Sequence, residues 1–175
     1  QAESSFASIS SFANVLSKIT LNEFFGLWFL GFHDFPKTIL DSLPVARKLD
    51  VIWFLTSFST DTSSLSDYLR QLSALDESQD VLELKAMIQY KLRRFALCAD
   101  TYRKLMSISP LSPSFHRNLA ICNYKLGNTS ITGEELLISW QLQKNSEIEF
   151  LYAVLMLKES RPDITFEILD KISIS

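Results

Sequence analysis

Two cysteines, Cys98 and Cys122, and two histidines, His33 and His116, are the residues of this chain that could serve as nucleophiles, bases or metal ligands. A cysteine nucleophile and its histidine base need only be close in space, so their separation in sequence does not by itself exclude such a pair. Both cysteines, however, fall on apolar helix faces, and packing explains them better than reactivity. Two cysteines cannot build a disulfide framework or a zinc site by themselves, and they read as reduced core residues of a cytoplasmic protein. Neither histidine has a pair of Cys, Asp or Glu at metal-ligand spacing. His33 reads as a corner residue between helices, and His116, at a helix start, as a surface or interhelical packing residue. The acids Asp76, Glu77, Asp80 and Glu83 could pair as catalytic carboxylates, but acids gathered at a helix start complement the helix dipole. Gly26, Gly31, Gly127 and Gly133 lie too far apart for a phosphate-binding loop. Asn128-Thr129-Ser130 fits the glycosylation acceptor pattern and equally a polar turn between helices. No cofactor, metal or catalytic residue is expected.

The composition sets the same limits. Seventeen basic residues against twenty acidic ones give a net charge of -3. Phosphate-backbone binding needs a positive face, so nucleic acid is excluded as an expected partner. The longest strongly apolar run, Phe24 to Phe32, is about half of the ~20 residues that span a bilayer, so no membrane insertion is expected. Gln1-Ala-Glu-Ser-Ser carries neither an initiator Met nor a basic signal-peptide start and reads as the edge of a trimmed piece of something longer. With 47% apolar and 21% charged residues but only four Gly and five Pro in 175 residues, the chain suits helices joined by short polar corners.

Apolar residues in the C-terminal half recur at steps of three and four within segments bounded by turn signals. One helix runs from Asp80 through Val81, Leu82, Leu84, Met87 and Ile88 to a break near Arg93-Arg94. A second runs from Phe95 to Ser109-Pro110, where proline disfavours helical geometry in the residue before it. The pattern restarts at Pro113 and ends at Leu126-Gly127-Asn128, where Gly can take a left-handed cap. Its partner helix is expected from about Thr132 to Gln143. A third pair follows as Glu147 to Lys158 and Pro162 to Ile172, with Pro162 suited to a first helical turn. Tyr90-Lys91-Leu92 and Tyr124-Lys125-Leu126 stand 34 residues apart, the tetratricopeptide period.

On these residues, the stretch from about Gln79 onward resembles three tetratricopeptide repeats. Ala86, Ala120 and Ala153 match the family's small residue of successive first helices. Phe95 matches the turn, Cys98 the small residue of the second helix, Tyr102 the next turn of that helix, and Pro110 the repeat end. The departures are Thr132 or Gly133 at the small position of the middle repeat's second helix, and Arg93 and Ser160 in place of the turn glycine. The same rhythm is fainter upstream, in Leu21 to Phe32 with Phe35 to Leu43, and in Val45 to Phe58 with Leu65 to Leu75. An extra helix is expected over Phe6 to Ile19. The expected fold is all-α, a right-handed solenoid of ten or eleven helices in one domain over residues 1–175. A lead helix would fill 1–20, divergent hairpins 21–75, and repeats 79–112, 113–145 and 146–175.

Stacked hairpins present the first helix of each pair along a concave face. Counting helical steps from the small residues places Met87, Tyr90, Arg117, Asn118, Ile121, Tyr124, Phe150, Val154 and Leu157 there. A groove of this composition suits an apolar peptide or an amphipathic helix of another protein, although several of these residues serve equally well as core between hairpins. Many tetratricopeptide domains clamp the acidic tails of heat-shock chaperones with Lys, Arg and Asn. Glu83, Met87, Glu147 and Leu151 stand where that clamp needs such residues, and the reading is rejected. Phe25, Trp28, Phe29 and Trp53 form either core or a second docking patch that would drive self-association, a homodimer or entry into a larger complex. The expected function is thus a non-catalytic adaptor or scaffold. The alternatives are a type III secretion chaperone holding apolar translocator segments and, remotely, a cysteine-based enzyme.

Overall fold

A computed structural model of the chain describes residue 40, residues 43–159 and residue 161. Among the described residues every regular element is a helix: α1 Val45–Phe58, α2 Thr62–Ser73, α3 Gln79–Lys91, α4 Phe95–Ile108, α5 Pro113–Leu126, α6 Thr129–Leu142 and α7 Ser146–Lys158. Seven helices lie among the described residues, and the ten or eleven expected of the whole chain are not supported. The remaining anticipated elements, at residues 1–39 and 162–175, lie outside the described residues. The chain divides into two compact units, Gln1–Asp61 and Thr62–Ser175.

In the first unit, α1 has the bounds that its apolar spacing predicts. Val51, Ile52, Phe54 and Leu55 are buried, while Trp53 is 52% exposed between them. A helix places residue 53 about 100° away from residues 52 and 54, so a single aromatic is turned outward from an otherwise buried run.

In the second unit each helix from α2 to α7 packs against the next. Short polar corners leave each helix little choice but to fold back on its predecessor. Ser78 begins α3, its hydroxyl accepting from the Val81 amide at 3.4 Å. The acids expected to serve this helix start are therefore divided. Asp80 lies in the first turn, whereas Glu77 accepts from Lys104 of α4 at 2.8 Å and from Lys85 at 3.4 Å. Pro113 opens α5, a position whose amide would lack a helical partner in any case.

The repeat is written into the corners as well as the helices. The amides of Arg94, Asn128 and Arg161 donate to the carbonyls of Gln89, Asn123 and Met156 at 2.8, 2.9 and 2.9 Å. Gly127 takes the left-handed conformation at φ 82, and Arg93 occupies the equivalent place at φ 58. Helix α6 starts three residues earlier than its apolar pattern indicates. Gly127 reverses the chain so tightly that Asn128 already stands at the helix start, with its carbonyl accepting from the Thr132 hydroxyl at 2.8 Å. The Asn128 side chain instead donates to Asn123, a fully buried amide, at 3.1 Å.

Ala86, Ala120 and Ala153 are all buried, which lets neighbouring helices approach closely. Of the two candidates for the small position of α6, Thr132 is buried and Gly133 faces Leu155 and Tyr152, whose atoms would lie 3.6 and 3.7 Å from an added methyl. Three clusters of buried residues stand out in the described core of this unit, beside the buried Leu65, Leu72, Val81, Leu84 and Ile88. Leu82, Leu105 and Phe115 form one, Ala86, Cys98, Ala99, Leu119 and Cys122 a second, and Ala120, Leu136, Ile148 and Leu155 a third. Tyr102 and Met106 pack against the first two.

Candidate binding surface on the first helices

The helices α3, α5 and α7 carry the residues expected to face a partner. Ala86 of α3 and Leu119 and Cys122 of α5 meet in one cluster with Cys98 and Ala99 of α4. Between α5 and α7, Ala120 shares a buried cluster with Ile148 and Leu155, and at the surface the Arg117 guanidinium donates to Glu147 at 3.0 Å and the Lys158 ammonium stands 4.4 Å from the centre of the Tyr124 ring. Arg117 and Glu147 are 30 residues apart, and only a fixed repeat register could have paired them in advance.

Exposure divides the expected residues. Phe150 is 56% exposed, and Tyr90 and Val154 are exposed as well. Met87, Arg117, Asn118, Ile121 and Tyr124 are half-buried. Tyr90 meets Phe95 edge to face with ring centres 5.5 Å apart, so the ring is braced rather than loose. Tyr124 also packs on the cluster of Ala120, Leu136, Ile148 and Leu155. Asn118 uses its amide inside the fold, donating to the Tyr102 hydroxyl at 3.1 Å. Leu157 lies in α7, and Phe25, Trp28 and Phe29 lie outside the described residues.

The residues that could have done chemistry are placed differently. Cys98 and Cys122 are both fully buried, with sulfurs 2.9 Å apart. Burial, followed by these sulfurs, pushes the Tyr102 phenol above the ordinary tyrosine range. His116 is buried between α5 and α6, with Nδ1 2.6 Å from Glu135 and Nε2 3.0 Å from the Pro110 carbonyl. A histidine gripped at both ring nitrogens is a pin between elements, and it lies 6% exposed. Among the described residues no group of three His, Cys, Asp or Glu is arranged to hold a metal ion. No described helix is long and apolar enough to cross a membrane.

These features define a tetratricopeptide-like helical fold: antiparallel helices in a 33- to 34-residue register, small residues at their crossings and left-handed corners. Solved structures of MamA, a tetratricopeptide-like helical protein, share it. MamA of AMB-1 aligns with a TM-score of 0.64 at 13% identity, covering 77% of this chain and 79% of that one. MamA of MSR-1 aligns with a TM-score of 0.60 at 11% identity over 98% of this chain and 89% of that one. A mutant of MamA gives 0.62 at 11% identity over 98% and 90%. No family model matches the chain, and no curated protein matches it.

Proposed function

We propose that this protein is a non-catalytic scaffold or adaptor that holds a segment of another protein against its first helices. The observation that carries this reading is the set of apolar and aromatic side chains on α3, α5 and α7 that keep exposed surface: Tyr90, Phe150 and Val154 exposed, and Ile121 and Tyr124 half-buried. Burying a side chain the size of Phe150 on a partner contributes roughly 1.5–3 kcal/mol. Three or four such contacts on a preorganised surface suffice for specific binding once the entropy of association is met. The charged residues on the same surface, Arg117, Glu147 and Lys158, are already engaged with one another or with Tyr124. An apolar peptide or the apolar face of an amphipathic helix therefore fits better than a charged tail.

In this reading the hairpins continue as a right-handed solenoid and the first helices form its concave side. A Tyr90→Ala, Tyr124→Ala, Phe150→Ala variant tests it. The variant should stay helical by circular dichroism and lose the partner that the unaltered chain retains from a lysate of its source cell. Retention of the same partner by the folded variant contradicts the groove and moves the binding site to the aromatic patch around Trp53. The secretion-chaperone alternative uses the same surface, and the identity of the retained segment, an apolar translocator or another protein, separates the two.

A further inference from the structure

The two cysteines meet in the middle of the second unit although 24 residues separate them. Cys98 belongs to α4, the second helix of one hairpin, and Cys122 to α5, the first helix of the next. The Cys122 thiol donates to the Cys98 sulfur at 2.9 Å, and the Cys98 thiol donates to the Ala86 carbonyl at 3.3 Å. That separation is only about 0.9 Å longer than the ~2.05 Å sulfur–sulfur bond. Both side chains are fully buried, packed with Ala86, Ala99 and Leu119, so neither is free to turn elsewhere. One register away the positions of Cys98 and Cys122 are filled by the buried Thr132 and Ile88, so packing in this repeat does not by itself call for sulfur at either place.

From this geometry we infer that Cys98 and Cys122 are a disulfide-forming pair that, on oxidation by a peroxide, joins successive helical hairpins through their shared core. The hydrogen bond with Cys98 holds the Cys122 thiol below its ordinary range, and the same bond, then burial, pushes Cys98 far above its own. When Cys122 ionises, the Cys98 proton can turn from the Ala86 carbonyl toward the thiolate. Cys122 is therefore the sulfur that attacks. Its thiolate displaces hydroxide from the peroxide oxygen, giving a sulfenic acid and, after protonation, one water. The Cys98 sulfur then attacks the sulfenic sulfur, loses its proton and releases a second water. Two thiols and one hydrogen peroxide become one disulfide and two waters. Because both sulfurs are buried, the reaction waits on brief opening of the α4–α5 seam and is slower than oxidation of an exposed thiol. The product closes a loop in the unfolded chain and so raises the stability of the folded one. This inference does not depend on the proposed binding surface.

The test uses the full chain treated with hydrogen peroxide, denatured in excess alkylating reagent and digested without reductant. The expected product is one pair of peptides joined through Cys98 and Cys122, lighter by two hydrogens and separated again by dithiothreitol. The melting temperature of the oxidised chain should rise by several degrees and return on reduction. Both cysteines recovered alkylated, or each oxidised singly with no joined pair, would overturn the inference. Cys122→Ala places a small residue in a small-residue core, and Cys98→Ala does the same from the other helix. Either variant, folded by circular dichroism, should give neither the joined peptides nor the rise in melting temperature. A rise that survives in both variants contradicts the cross-link as its cause.

Discussion

The seam between α4 and α5 and the surface shared by α5 and α7 are built from one helix, yet they are opposites. In the seam, α5 contributes Leu119, Cys122 and the Asn118 amide to a closed interior that includes Cys98 and Tyr102. On the surface, the same helix contributes Arg117, paired with the exposed Glu147 carboxylate, and Tyr124, which rests on the cluster of Ala120, Leu136, Ile148 and Leu155 and meets the exposed Lys158 ammonium, while Phe150 of α7 is 56% exposed. Exposed ion pairs typically contribute 0–1 kcal/mol, so the surface is not where the fold gets its stability. A helical repeat thus separates its tasks by face: buried contacts set the register, and the residual apolar face is the one proposed to take a partner.

The largest effect that would break this separation is in the core. Leu105, fully buried against Leu82 and Phe115, should lose about 2–5 kcal/mol of stability on replacement by Ala, measured by denaturant unfolding. Phe150→Ala, on the open face, should change stability by less than about 0.5 kcal/mol. Equal losses from the two substitutions would mean that the open face is in truth part of the core.

A smaller effect distinguishes the corners. Gly127→Ala should destabilise by about 1 kcal/mol, because φ 82 disfavours a side chain although nothing stands within 4 Å of the added methyl. Arg93→Gly relieves the same strain at φ 58 while loosening the unfolded chain, and should be close to neutral in the same unfolding measurement.

The smallest effect concerns Glu77, whose hydrogen bond with Lys104, helped by the charge of Lys104 and by Lys85, holds its carboxyl below the usual value of 4.5. A depressed carboxylate stabilises the fold above its unfolded value and loses that contribution as pH falls through the folded one. The melting temperature of Glu77→Gln should therefore lie slightly below that of the unaltered chain at neutral pH and converge with it as the solution is acidified below about 4.5. A gap that stays constant through acid would remove this ion pair from the account.

Much of the helical framework was legible in the residues themselves. Apolar spacing with Pro113, Gly127 and the break before Pro110 placed α1, α4, α5 and α7 within a residue or so of their observed bounds. The start of α6 was misread because Asn128-Thr129-Ser130 looks like a turn, whereas the turn is completed by Gly127 alone. The left-handed corner at Arg93 left no glycine to mark it. Burial of Cys98 and Cys122 followed from the small-residue positions, but their meeting did not, since it depends on how one hairpin rests on the next. The bond from the Asn118 amide to the Tyr102 hydroxyl was not legible either, since it joins two helices whose packing the steps along one helix do not disclose.

The most direct test of the open face is a photo-crosslinking amino acid placed in turn at Phe150 and at Leu97, an equally exposed position on α4, and irradiated in a lysate of the source cell. Binding through the first helices should give a specific adduct from position 150 that is absent from position 97 and competed away by excess unaltered protein. The same adduct from position 97, with none from position 150, would contradict it and place the partner on the second helices.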